Sequence, residues 1–310
     1  MSFDPTKVPE RLIKAAQQRT LVPLIGAGVS RQTTHPFPTW LGLLNIMKAR
    51  ALKEKRISTT DADEMEKLLN RGQFLMVAED LRSRLETGVY TDILRETFDK
   101  QVKPAAIHKA LFALDPPLVL TTNYDRLLED AYADAYRLAA IVTTYKDVVA
   151  VQNSFTEDRQ QKPPIIFKIH GSIANLDEII CTEKDYRNLT YDQLGYRAVL
   201  SAIFITHNVL MLGFSFTDQE LILLLEAHRH SLKYKSSLHY IFLPDGEVGD
   251  VETRRLREDF GIEIVPFKPS KTYKELLEFV NFLASKINRR GSAPKSSAKK
   301  AKKKPVKRRK

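Results

Sequence analysis

Two kinds of hydrophobic pattern alternate along this chain. Short apolar segments occupy residues 21–25, 118–122, 165–169, 209–212 and 239–243, with a weaker one at 261–266. Several are continuously hydrophobic, which is typical of parallel strands covered on both faces. Between them apolar residues recur at helical spacing, as at Leu127, Leu128 and Ala131. The alternation predicts an α/β fold with a Rossmann-like, doubly wound and mostly parallel sheet.

The interval between the first two predicted strands breaks this alternation. About residues 40–115 have an almost wholly helical pattern, which is far longer than the roughly dozen residues that a crossover connection needs. We expect an inserted helical module there, or one that covers an edge of the sheet.

The formal net charge of +11 over 310 residues is unevenly distributed. Residues 289–310 contain 12 Lys or Arg and no acidic residue, so residues 1–288 hold 37 basic and 38 acidic residues. The basic segment has almost no apolar side chains to offset the entropy lost on ordering. We predict a folded domain over residues 1–288 and a disordered Lys/Arg-rich tail over 289–310. The tail fits non-specific, salt-sensitive nucleic-acid binding, and equally a solvated extension that contacts acidic proteins.

Two absences narrow the class of protein. No apolar run approaches the roughly 20 residues of a membrane span, and the first residues do not follow a secretory signal pattern. We therefore expect a cytoplasmic protein that does not contact a membrane. Cys181 is the single cysteine, which excludes an intramolecular disulfide and a cysteine-based zinc site.

A glycine-rich turn follows the first predicted strand, in the sequence Gly26-Ala27-Gly28-Val29-Ser30. Glycines at this place let the backbone approach a pyrophosphate, and a following helix N-terminus supplies N–H donors. The third glycine of the dinucleotide fingerprint is missing. A tight turn without a ligand therefore stays an alternative.

The second predicted strand is followed by Thr121-Thr122-Asn123-Tyr124-Asp125. Polar side chains at the carboxyl end of a parallel strand lie in the crevice where such folds bind ligands. Asn123 or Asp125 could instead cap the helix that begins near residue 126. Both interpretations can hold for different residues.

The third and fourth predicted strands also end in small or polar residues. His170-Gly171-Ser172 places a histidine where it could act as a base near neutral pH. After the fourth strand come Gly213-Phe214-Ser215-Phe216, with Thr217 or Asp218 as the expected helix N-cap. Four strand ends of this kind predict one shared nucleotide site.

The order and content of these four clusters resemble the sirtuin-type NAD-binding domain over about residues 10–285. The resemblance is strongest to a bacterial branch whose members hydrolyse NAD and frequently serve in anti-phage defence. It implies a catalytic group of Asn123, His170 and Asp125, with His170 as the base. The binding residues that it implies for NAD are Gly26, Ala27, Gly28, Ser30, Thr122, Asn123, Gly213, Phe214 and Ser215.

The sequence also departs from the sirtuin deacylases. These carry a four-cysteine zinc module, which Cys181 alone cannot build. They also have an arginine after the phenylalanine of the first loop, whereas Pro38 follows Phe37 here, and Tyr124 stands where an isoleucine is usual. The resemblance therefore favours NAD cleavage without zinc and argues against deacylation.

We accordingly expect an NAD+ glycohydrolase that yields nicotinamide and ADP-ribose and depletes NAD in anti-phage defence. Such an activity harms its host when unregulated, so we expect control by homo-oligomerisation or by a partner, for example an ATPase or another defence protein. Two alternatives are an NAD- or ADP-ribose-binding subunit without activity and an ADP-ribosyltransferase, with the basic tail as a nucleic-acid tether.

Overall fold

A seven-stranded parallel sheet forms the centre of the molecule. The computed structural model describes residues 3–155, 162–215, 218–231 and 238–287. The predicted basic tail lies outside the described residues, as do Phe216 and Thr217. The strands are β1 Leu21–Ile25, β2 Leu118–Thr121, β3 Ile141–Thr144, β4 Ile165–Lys168, β5 Asn208–Leu212, β6 His239–Pro244 and β7 Ile262–Phe267.

Fourteen α-helices lie within the described residues. They are α1 Glu10–Gln17, α2 Ala27–Ser30, α3 Trp40–Lys53, α4 Thr59–Asn70, α5 Phe74–Arg84, α6 Thr87–Phe98, α7 Ala106–Leu111, α8 Leu127–Tyr136, α9 Val149–Ser154, α10 Glu183–Asp192, α11 Leu194–Thr206, α12 Gln219–Ser231, α13 Asp250–Asp259 and α14 Glu275–Lys286. Each helix in these parts of the chain is too short or too polar to span a bilayer.

The strand order β3-β4-β2-β1-β5-β6-β7 confirms the Rossmann-like α/β fold. All the strand pairs in this sheet are parallel, for example Leu24 with Leu120 and with Met211. From β1 the chain moves toward β2, whereas from β5 it moves toward β6, so the strand order reverses between β1 and β5. Ligands of open α/β sheets bind in the crevice at such a reversal.

Alternate strand residues face two separate hydrophobic cores, as the pleat requires. One face of the sheet, with Val119 and Leu210, packs against a layer that includes α1, α7, α8 and α14. The other face, with Leu120 and Met211, packs against a layer that includes α11, α12 and α13. This double covering explains why the central strands are hydrophobic at every position.

The helical segment between β1 and β2 divides into two parts. Helices α3 to α6 form a third core, which also contains Tyr124, Ile173 and Cys181 from the loops that follow β2 and β4. Helix α7 instead packs, through Ile107 and Leu111, into the core on the face of the sheet that includes Val119 and Leu210. The module therefore lies over the loops at the carboxyl ends of the strands and does not form a remote domain.

Candidate functional site

Three glycines bring the ends of β1 and β5 into contact. The N–H of Gly28 donates to the carbonyl of Gly213 at 2.9 Å. A Cβ on Gly26 would lie 2.5 Å from the Gly213 oxygen, and one on Gly28 would lie 2.7 Å from the Gly213 Cα. Gly213 itself has φ +61°, and its Cβ would lie 2.5 Å from the Val29 nitrogen. This close packing requires the glycines whether or not a pyrophosphate lies against them.

The amide of Asn123 bridges the loop after β2 to the turn after β1. Its Nδ2 donates to the Gly26 carbonyl at 3.0 Å and to Ser30 Oγ at 2.9 Å. The acceptor at Gly26 fixes which side of the amide carries nitrogen, because a flipped amide would place two oxygens together. Since both amide hydrogens are used inside the protein, Oδ1 is the atom of Asn123 that can accept a hydrogen bond from a ligand.

Asp125 braces this loop through both carboxylate oxygens. Oδ2 accepts from Ser30 Oγ at 2.7 Å, and Oδ1 accepts from the N–H of Leu127 at 3.0 Å. The second bond satisfies the N–H of Leu127, the first residue of α8. The N-cap position itself is Arg126, so neither Asn123 nor Asp125 is the N-cap, and of the two only Asp125 bonds to a backbone N–H of the helix.

His170 follows β4 directly and forms a buried pair with Asp218. Its Nε2 lies 3.0 Å from Asp218 Oδ2, and both side chains are 6% exposed. The hydroxyl of Tyr186 donates to the same carboxylate oxygen at 3.0 Å and lies 3.5 Å from Nε2. Burial acts to raise the pKa of Asp218, but the His170 interaction and these hydrogen bonds outweigh it, so the pKa is lowered.

Asp218 also caps α12, as the sequence predicts for this position. Its Oδ1 accepts from the N–H of Leu221 at 3.0 Å. The other predicted cap, Thr217, lies outside the described residues. The pairing of Asp218 with His170 was not predicted, because the two residues are 48 positions apart and follow strands β5 and β4, which β1 and β2 separate in the sheet.

A second buried carboxylate, Glu220, lies close to this pair. Its Oε2 accepts from the hydroxyl of Tyr196 at 3.1 Å, and Oε1 has no hydrogen-bond partner among the described residues. Burial, followed by the charge of Asp218, raises the pKa of Glu220 to about 7. The Glu220 carboxyl therefore changes charge near neutral pH, next to a histidine.

These groups surround a cavity of about 660 Å³ at the carboxyl ends of the strands. This volume is within the range of small-molecule sites. Its lining includes every residue predicted for the site, namely Gly26, Ala27, Gly28, Ser30, Thr122, Asn123, Asp125, His170, Gly213, Phe214 and Ser215. The structure thus brings the four predicted clusters together around one space.

The cavity has further walls that sequence reasoning did not identify. Trp40 and Phe98 from the helical module contribute to one side, and Tyr273 after β7 contributes to another. Tyr186 contributes from α10. These aromatic residues lie on helices or, for Tyr273, in a loop, where no sequence signal separates a cavity wall from a core position, so they were not predictable.

The remaining titratable groups do not form a metal site. In the ranges that the structure describes, no cluster of three His, Cys, Asp or Glu residues could hold a metal ion. Cys181 is buried, and this burial raises the pKa of its thiol to about 12.

A comparison with protein families matches residues 117–265 to the SIR2-like domain. The chain therefore contains a SIR2-like domain. The matched range runs from the start of β2 into β7 and contains Asn123, His170 and Gly213. The family resemblance expected from the four clusters is confirmed.

Several curated proteins are similar to this chain. The NAD(+) hydrolase ThsA of Bacillus cereus (strain MSX-D12) is 25% identical over 211 residues, covering 64% of this chain and 43% of that protein. ThsA of Acinetobacter baumannii (strain 532279) is 23% identical over 270 residues, covering 87% of this chain and 51% of that protein. Defense-associated sirtuin 2 of Bacillus subtilis is 22% identical over 263 residues, covering 83% of this chain and 24% of that protein. The chain spans about half or less of the length of these relatives.

Proposed function

We propose that this SIR2-like chain is an NAD+ glycohydrolase that depletes NAD as a regulated effector of bacterial anti-phage defence. The observation that carries the proposal is the cavity at the β1–β5 reversal, which Asn123 and His170 both line. The similarity to proteins named NAD(+) hydrolases supports NAD as the ligand.

The chemistry fits a site without a metal or a strong general acid. Water replaces nicotinamide on the ribose carbon, so the products are nicotinamide, ADP-ribose and one proton. Nicotinamide leaves as a neutral molecule, and the transition state has oxocarbenium character. The protein must hold the ribose, position water and accept the proton.

Asn123 and His170 have the atoms for these two tasks. The Oδ1 of Asn123 accepts a hydrogen bond from the attacking water or from a ribose hydroxyl. A proton on Nε2 of His170 is held by the Asp218 carboxylate at 3.0 Å, which leaves the lone pair of Nδ1 as the base. Asp125, with both oxygens engaged by Ser30 and Leu127, supports the loop in this scheme.

The direct test is product analysis of NAD incubated with the purified chain. Mass spectrometry should find nicotinamide and linear ADP-ribose, and Asn123→Ala and His170→Ala should each abolish turnover. Matched controls are Asn70→Ala and His35→Ala, which change exposed residues outside the cavity. Turnover by either site variant at the unmodified rate would refute the assignment.

The same measurement separates the two alternative functions. A transferase would yield nicotinamide with ADP-ribose attached to a protein or nucleic acid, and a binding subunit would retain NAD without cleaving it. The defence role needs its own test, a phage challenge of cells that carry the unmodified chain or the His170→Ala variant. Control by oligomerisation or by a partner such as an ATPase remains part of the proposal.

A further inference from the structure

A lysine side chain is completely buried at the end of strand β4. Lys168 is the last residue of this strand, aligned with Thr121 of β2 and Thr144 of β3, and its side chain is 0% exposed. Every other residue of β4 is apolar. Lys168 lies two positions before His170, so the buried charge is at the end of the strand that leads to the proposed base.

The ammonium group contacts three oxygens of the segment that follows β2. It donates to the carbonyl of Tyr124 at 3.3 Å and to the carbonyl of Asp125. It also pairs with Oε1 of Glu129, in the first turn of α8, at 3.0 Å. These three contacts use all three hydrogens of the ammonium group.

Stability alone gives a poor reason for this buried ion pair. Desolvation of two charges costs several kcal/mol, and apolar residues of similar volume at such places are often equally stabilising. The pair is also incompletely satisfied, because Oε2 of Glu129 has no hydrogen-bond partner among the described residues. Its distinctive effect is geometric, since it ties β4 to one side of the loop that carries Asn123.

The opposite side of that loop is held by Asn123 and Asp125 themselves. Asn123 bonds to Gly26 and Ser30, and Asp125 bonds to Ser30. These bonds fix the loop to β1, whereas only a contact with β4 sets it relative to His170. Lys168 supplies such a contact by donating to the carbonyls of Tyr124 and Asp125.

We propose that Lys168, paired with Glu129, is a positioning residue that sets the Asn123 loop relative to His170. The inference rests on the proposed NAD cleavage for its catalytic consequence. Reacting groups must be held within about 0.5 Å of their productive positions, and a shift of about 1 Å costs about 100-fold in rate.

The test replaces the ion pair by an apolar pair of similar volume, Lys168→Met with Glu129→Met. The single Lys168→Met change would leave Glu129 buried without its partner and could prevent folding. In the double variant the Tyr124 carbonyl keeps the N–H of Ile173 as a donor at 2.9 Å. We expect kcat for NAD cleavage to fall about 10–100-fold while KM changes less than about threefold.

A stability-matched control separates positioning from general destabilisation. Leu283→Ala empties part of the core on α14 at a residue that does not line the cavity, and destabilises by about 2–5 kcal/mol. At a temperature where both variants are folded, Leu283→Ala should keep its kcat. An equal loss of kcat in the two variants would overturn the inference, as would an unchanged kcat in the double variant.

Hydrogen exchange provides a readout that does not depend on NAD cleavage. In the double variant the amides of residues 123–127 should exchange at least about tenfold faster, while those of β1 and β5 stay protected. If the unmodified chain leaves NAD intact, the proposed function fails and the exchange result alone decides the inference. Unchanged exchange at residues 123–127 would refute it.

Discussion

Asp218 combines a structural and a chemical task in one side chain. One carboxylate oxygen caps α12 through Leu221, and the other pairs with His170. An asparagine at this position keeps an oxygen for the cap, because Asn is as good an N-cap as Asp. It loses the negative charge that holds the His170 proton on Nε2, so the two tasks can be separated by one substitution.

We predict that Asp218→Asn leaves the fold intact and lowers kcat for NAD cleavage by about 10²–10⁴-fold. The melting temperature should stay close to that of the unmodified chain because the cap remains. Steady-state kinetics and a thermal melt check the two parts. A kcat within about twofold of the unmodified value would mean that Asp218 serves α12 only.

Gly171, directly after His170, has no room for a side chain. Its φ is +85°, and a Cβ would lie 2.0 Å from the carbonyl oxygen of Glu178. Gly246 is the matched control, because its φ is +80° but nothing lies within 4 Å of its Cβ position. Both glycines have a positive φ, but only at Gly171 would an added side chain collide with neighbouring backbone.

Gly171→Ala should therefore destabilise the protein by clearly more than Gly246→Ala. The control bears only the left-handed backbone cost of about 1–2 kcal/mol. The Gly171 variant must in addition displace backbone that neighbours His170, and we expect a further loss of at least about 2 kcal/mol. Urea denaturation of both variants measures the difference, and equal losses would show that the Glu178 segment moves freely.

Helix α12 contains a carboxyl group that links folding to pH. The groups around Glu220 are Asp218 and His170 at the site, Tyr196 and, more weakly, Arg197. The pKa of Glu220 is about 7 in the folded chain and about 4.3 when unfolded. Between these values the folded chain holds a proton that the unfolded chain has released, so stability falls as pH rises through this window.

Glu220→Gln should flatten this dependence, by on the order of 2–3 kcal/mol between pH 4.5 and 7. The measurement is the free energy of unfolding against pH for the unmodified chain and the variant, since other groups contribute equally to both. Glu226→Gln changes an exposed carboxyl on the same helix and should leave the slope unchanged. Identical slopes for the chain and Glu220→Gln would contradict the prediction.

The elements were predictable where both faces are buried. Strands β1, β2, β4, β5 and β6 are hydrophobic at nearly every position, and the predicted segments agree with them within one residue. The edge strand β3 was not predicted, because Ile141 and Val142 are exposed and its four residues leave only a short pattern. Burial produces the signal, so the partly buried edge strand β7 gave only the weaker segment at 261–266, and the shorter, more exposed β3 gave none.

Residues of the site were predictable at strand ends and not on helices. A parallel sheet brings its carboxyl ends together, so Asn123 and His170 could be assigned to one crevice from the strand pattern alone. Tyr186 and Glu129 lie on helices whose placement depends on packing. Lys168 did carry a signal, a charge inside an apolar buried strand, but its partners required the three-dimensional structure.

At the scale of the whole molecule, the charge divides the chain into two parts. The net charge of +11 arises from residues 289–310, and residues 1–288 are nearly neutral. The cavity is built from described residues between 26 and 276. The lining of the cavity and the excess positive charge therefore lie in separable segments of the sequence.

A chain that ends at residue 288 should lose nucleic-acid binding and keep NAD cleavage. Binding through about 6–10 phosphates would weaken by about 10³-fold or more between 50 and 200 mM salt, so fluorescence anisotropy with a labelled duplex over this range measures the contribution of the tail.

A control that replaces the 12 basic residues by serine keeps the length and removes the charge. Because the proposed cleavage uses Asn123 and His170, its kcat should be the same in all three chains. A shared loss of cleavage would place the basic segment in the catalytic assembly, and retained duplex binding would place the phosphate-binding surface on the neutral domain.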